Sequence, residues 1–149
     1  MAAAFKSAGA DEQEAHRLMN ARDIAVFAAR TADEKKGVDI VIYDLQGLSD
    51  VADYFVITTA QSKAQSRAIC ETIARELKSC GVHRLGQEGN AGGQWVLLDY
   101  GGCVIHVFSP ALRDYYALES LWGDAPKVDW ENEPPVVLPR KTLAGTGIA

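Results

Sequence analysis

The chain has 149 residues, 48% of them hydrophobic, a formal net charge of −5 and an isoelectric point near 5.1. That length suits one domain with short tails. The acidic balance argues against a broad nucleic-acid surface but leaves room for a basic protein partner, and no apolar run reaches the roughly 18 residues of a membrane span.

Residues 1–10 read as a flexible extension with no sustained apolar stretch, so neither a secretory signal nor a transit peptide is expected. Asp11 to about Glu34 reads as a helix, with Leu18, Ala21, Ala25 and Ala28 on one line, Ile24 and Phe27 widening it, and Gly37 as its stop. Val38–Leu45 and Tyr54–Thr59 read as strands. Their short connection favours an antiparallel pair, and the second strand, apolar on both sides, reads as central. Ser62 caps the next helix with Gln65 as capping-box partner, and Ile69, Ile73 and Leu77 recur along one face of it to about Ser79. Val82–Leu85 reads as a short edge strand and Gly86–Gly93 as a loop.

The most informative stretch is Gln94 to Trp122. Val96–Leu98 and Val104–Phe108 flank Tyr100-Gly101-Gly102, a hairpin signal whose two-residue loop is either Tyr100-Gly101 or Gly101-Gly102. Alternation puts Val96, Leu98, Cys103, Ile105 and Val107 on one wholly apolar face, expected under helices. The other face holds Trp95, Leu97, Asp99, Val104, His106 and Phe108. That mixed face is either a second, looser core layer or a docking surface. Ser109 and Pro110 open a last helix that runs to Trp122 and ends at Gly123. Beyond Asp124, Pro126, Pro134, Pro135 and Pro139 oppose regular structure, with Trp130 and Val136–Leu138 able to pack back onto the body. The expected organisation is an extension over 1–10, a domain over 11–123 and a Pro-rich tail over 124–149. The fold class is α/β: a mixed four- or five-stranded sheet with helices packed on it.

The search for chemistry is largely negative. Asp39, Asp44, Asp50, Asp53 and Asp99 form no paired carboxylate motif for a metal-dependent transferase. His16, His83 and His106 lack metal-ligand spacing, and no phosphate-binding loop or nucleophile elbow is present. Asp99 and His106 could approach each other across the hairpin, as an acid/base pair or as a structural hydrogen bond. The Thr58–Ser62 segment could bind an anion but is more simply a helix cap. Three cysteines, Cys70, Cys80 and Cys103, without a CxxC pattern, fit a reducing cytoplasm.

From Ala21 to Pro126 the chain resembles the ribosomal silencing factor, or Iojap-like, family. The matching pieces are Lys36-Gly37-x-Asp39-Ile40-x-x-x-Asp44, Ser49-Asp50-x-x-Asp53-Tyr54-Phe55-Val56-Ile57-x-Thr59, Ser62 with Gln65, and Gly86-x-Glu88-Gly89. They continue with Trp95-x-x-Leu98-Asp99-Tyr100-Gly101, Val104–Phe108 and Arg113-x-x-Tyr116-x-Leu118-Glu119-x-Leu121-Trp122. Each piece is weak alone; in order over most of the chain they are specific. The sequence departs from the family pattern at Ala60, where many relatives have glycine, and at Gly102, where an acid is common.

The resemblance implies a nucleotidyltransferase-like topology without catalytic acids, so no enzyme and no cofactor. It implies binding to the large ribosomal subunit through its interface protein L-fourteen, which blocks subunit association and represses translation under nutrient limitation. The alternatives are a large-subunit assembly factor or a nucleotidyltransferase-like enzyme. Some members are dimers. Carried over by motif, the partner-binding residues are Trp95, Asp99, Tyr100, His106, Tyr116 and Glu119, with Trp122 read as packing.

Overall fold

The computed structural model describes residues 19–138. Helix α1 (Ala21–Glu34) starts behind a capping box: Asn20 Oδ1 accepts from the Asp23 amide at 2.8 Å, and the Asp23 carboxylate accepts from the Asn20 amide at 3.2 Å. The helix expected from Asp11 is therefore interrupted at Asn20, an extended residue; Leu18 and the other residues before Met19 lie outside the described residues. At its far end the Gly37 amide donates to Ala32 O and the Lys36 amide to Asp33 O, a Schellman closure with Lys36 left-handed (φ 71°). Gly37 serves there by its lack of a side chain, because a Cβ would sit 2.7 Å from Thr58 Oγ1.

Among the described residues five strands form one sheet, in the order β1 (Val38–Asp44), β2 (Tyr54–Thr59), β5 (Cys103–Phe108), β4 (Trp95–Asp99) and β3 (Gly86–Glu88). β1 (Val38–Asp44) runs antiparallel to β2 (Tyr54–Thr59), as the short connection required. β2 is parallel to β5 (Cys103–Phe108), and the crossover between them contains helix α2 (Lys63–Ser79). β4 (Trp95–Asp99) pairs antiparallel with β5 through a Gly101-Gly102 loop, closed by Tyr100 N donating to Cys103 O at 2.9 Å. Gly101 carries the left-handed conformation (φ 85°) that this tight turn needs.

The edge strand is not Val82–Leu85 but β3 (Gly86–Glu88), inside the stretch read as a loop; it pairs with β4 from Leu97 to Asp99. Val82 is spent closing α2, its amide donating to Leu77 O. β1 also contains a register irregularity between Val38 and Val41, with Asp39 at φ 53°, which alternation alone did not reveal.

The last helix is two helices. α3 (Pro110–Tyr116) and α4 (Leu118–Trp122) meet at Ala117, left-handed at φ 48°, ψ 51°. The Arg113 side chain bridges that break, donating to the Glu119 carboxylate and to Thr59 Oγ1.

Residues 125–138 are more ordered than their prolines suggested. Asp44 N donates to Pro126 O, Val128 N to Ile42 O, and Trp130 Nε1 to Ile40 O, so this segment lines the outer edge of β1. A bridge links Tyr43 to Lys127, and a 3₁₀ turn spans Trp130–Asn132. The Arg22–Glu133 ion pair (2.9 Å) ties the segment to α1, where Trp130, Val136 and Leu138 pack against the core while Val137 points outward.

The sheet divides the core as alternation predicted. Val96, Leu98, Cys103, Ile105 and Val107 face α1 and α2, packing with Ile24, Ala28, Ile69, Ile73 and Leu77. Val104 and Phe108 face the other way, with Tyr43, Leu45, Phe55 and Ile57.

Candidate functional site

The mixed face of the hairpin is the centre of the candidate site, and α3 and α4 cover only part of it. Leu112, Leu118 and Trp122 pack against its buried layer, while Trp95 and Leu97 are only half-buried at its margin. β5 supplies His106, which is 4% exposed. β4 supplies Trp95, whose indole N–H donates to His106 Nδ1 at 3.2 Å.

This hydrogen bond fixes the imidazole chemistry. Nδ1 accepts, so the neutral ring carries its proton on Nε2, and Nε2 is buried without a hydrogen-bond partner among the described residues. Phe55 stands edge-on at 4.8 Å and Phe108 stacks at 5.9 Å. Burial pushes the imidazole down to about 4, so it is uncharged at neutral pH.

Around this histidine the aromatics form a graded layer. Trp95 stacks on Phe108 at 5.2 Å and lies 4.6 Å from the Tyr116 ring; Trp122 meets Phe55 edge-on at 6.0 Å. Phe108 is enclosed, Trp95 half-buried, and Tyr116 and Tyr115 are exposed, with Tyr115 at 77%. Leu121 is also exposed. Such a gradient from a dry ring to open aromatic surface has the composition of an interface anchor.

The structure gathers Trp95, His106 and Tyr116 into one cluster. Glu119 is not part of it: paired with Arg113, it lines a groove with Tyr43 and Lys127 toward β1. Asp99 does not pair with His106: in the hairpin register Asp99 faces Val104 and Leu97 faces His106, and Asp99 Oδ1 instead accepts from the Gly101 amide at 2.8 Å, bracing the turn. Tyr100 points to the opposite face, buried in the core beneath α2. Trp122 packs, as expected.

Sequence reasoning gave no role to Arg113, Tyr115 or Phe55. Arg113 had no local signal, because its partners Thr59 and Glu119 come from separate elements. Exposure of Tyr115 and Leu121 follows from the turn at Ala117, which no residue type announced.

Ser62 is a helix cap, its Oγ accepting from the Gln65 amide at 3.0 Å. The expected capping box is altered: Gln65 accepts from Gln61 N and donates to Lys35 O and Lys36 O, joining the start of α2 to the end of α1. Among the described residues no group of three or more His, Cys, Asp or Glu side chains could hold a metal ion, and no helix is long and apolar enough to cross a membrane.

Comparison with known proteins agrees with this architecture. A ribosomal silencing factor RsfS from Bacillus subtilis is 42% identical over 111 residues, 74% of this chain and 94% of that protein. The chloroplastic protein Iojap of Zea mays is 32% identical over 105 residues, which cover 70% of this chain and 46% of that longer protein. A crystal structure of a Chromobacterium violaceum protein superposes with a TM-score of 0.66 at 37% identity, covering 70% of this chain and 88% of that one. The family model described as ribosomal silencing factor during starvation matches residues 18–144. With the fold, the ordered motifs and most of the chain's length in agreement, the chain belongs to the ribosomal silencing factor family.

Proposed function

We propose that this protein docks on the large ribosomal subunit through ribosomal protein L-fourteen and thereby blocks association with the small subunit, lowering translation when nutrients are scarce. The observation that carries this reading is the incompletely covered aromatic face, where Trp95, with the ring of Tyr116 tilted against it, lies over a buried His106. The partner-contact residues on this reading are Trp95, Tyr116 and Glu119, with Asp99 holding the hairpin turn and His106 orienting the indole. Tyr100 acts from the other side of the sheet.

The action is steric and needs no bond-breaking. An acidic protein gains encounter rate with a basic ribosomal protein, and the aromatic anchors supply most of the affinity. A role in assembling the large subunit uses the same surface and differs only in whether the bound particle is mature or a precursor.

The test is gradient sedimentation of lysate with added protein, probing the subunit, monosome and polysome fractions. Co-migration with mature large subunits and fewer joined ribosomes is the expected result. Protein that stays at the top of the gradient at ample concentration would overturn the reading, and association with precursor particles alone would replace silencing with assembly.

A further inference from the structure

The chain is acidic overall, yet residues 63–84 carry Lys63, Arg67, Arg75, Lys78 and Arg84 against Glu71 and Glu76. Three of these cations converge on one open groove of about 810 Å³ between α2 and the β3–β4 edge. Arg75 and Lys78 stand three residues apart on one side of α2, and Arg84 stands at the opposite rim. All three are exposed, and Glu71 is the acid among the groove's lining residues.

The floor of the groove includes Tyr100, the residue of the hairpin motif that the aromatic cluster leaves out. Its ring is buried under α2, and Arg84 lines the same groove, its positive charge acting on the hydroxyl. Three exposed cations thus border one opening, an arrangement suited to closely spaced negative charges.

We propose that this groove binds the phosphodiester backbone of structured RNA, giving the protein a second, sequence-independent contact on the large subunit beside its aromatic face. The inference rests on the docking reading for its biological setting. Three features favour RNA backbone over other polyanions. Exposed cations without an exposed Trp, Tyr or Phe among the lining residues suit phosphate contact rather than base stacking. A membrane surface would need an apolar face beside the cations, but Ile69, Ile73 and Leu77 of α2 are turned into the core. An acidic protein would need apolar anchors, and the apolar lining residues Cys70 and Val82 are buried beneath the charged rim. The local cationic face also reconciles RNA contact with an acidic chain, since screening confines these charges to a range of about 10 Å.

The test uses the full chain and a fluorescently labelled RNA hairpin of about 20 base pairs, read by anisotropy across a salt series. The wild type is expected to bind at about 50 mM salt. Arg75→Gln with Lys78→Gln, both on the exposed side of α2, should lose about tenfold or more in affinity and lower the log–log salt slope by about 2. Arg75→Lys with Lys78→Arg should retain binding. No binding by the wild type, or an unchanged salt slope in the neutralised variant, overturns the proposal. Equal affinity for poly-glutamate transfers the groove to an acidic protein partner and also overturns it. Because the probe is naked RNA, failure here is separate from failure of subunit docking, which the sedimentation experiment reads.

Discussion

The two faces of the central hairpin are made of the same ten or so residues, yet they are treated differently. The face carrying Val96, Leu98, Ile105 and Val107 lies under two long helices and is sealed. The face carrying Trp95, Leu97 and His106 lies under two short helices separated at Ala117, and its margin stays open. The sealed face spends its apolar surface on folding. The open face leaves a share of it uncovered, and it contains a buried imidazole, oriented by a half-buried tryptophan. On the proposed function, a single ladder of strands carries stability on one side and recognition on the other.

The comparison is broken most directly on the sealed side. Ile105→Ala should cost about 3–4 kcal/mol in urea unfolding, the lost burial plus a cavity that two rigid helices cannot collapse around. Leu97→Ala on the open face should cost about 1 kcal/mol, since that side chain is only partly buried. Comparable losses at both positions would remove the distinction between the faces.

Trp95→Ala tests the open side by function. It should weaken binding to large subunits by about 2 kcal/mol or more, measured by co-sedimentation, with the circular dichroism spectrum retained. Unchanged affinity in a folded variant would take Trp95 out of the interface.

The buried imidazole gives the open face a pH signature. Folded His106 titrates at about 4 and the unfolded residue near its ordinary value of 6.5. Between these the unfolded chain holds the extra proton, so stability falls as pH drops through that window and levels off below it. By pH 5 the loss attributable to this group should be about 2 kcal/mol, read as the difference in denaturant midpoints between wild type and His106→Phe. Parallel pH profiles for the two proteins would show that the imidazole does not titrate in this way.

The smallest expected effect concerns the cover itself. Ala117 occupies a left-handed conformation that disfavours a Cβ, so Ala117→Gly should gain about 0.5–1 kcal/mol, partly offset by unfolded-state entropy. A loss of stability would show that α3 and α4 do not meet in this conformation.

Local signals determined a good deal. Period-two alternation assigned the hairpin residues to their faces because strand side chains have no other freedom once the ladder forms. Ser62 and Ser109 announced their helix starts, since a side-chain oxygen near free amides is a local matter. The ordered motifs pointed to the family because they fix residue types along the chain.

What tertiary structure decided were the contacts made between distant segments. β3 formed at Gly86–Glu88 because β4 offered an unpaired edge, which overrode the loop-like composition there. Pro126, Pro134 and Pro135 did not prevent order, because the segment borrows hydrogen-bond partners from β1. Asp99 and His106 share a face but stand at different register positions, so sharing a face did not make them a pair. Tyr100 is separated from Trp95 by the thickness of the sheet, although five residues along the strand and a turn made them look like one motif. The sequence by itself determined which residues share a face, because that is a property of one strand. Only the folded chain decided which faces are covered, which polar groups find partners and where the cations of α2 converge, because those depend on segments that meet only once the sheet has closed around its core.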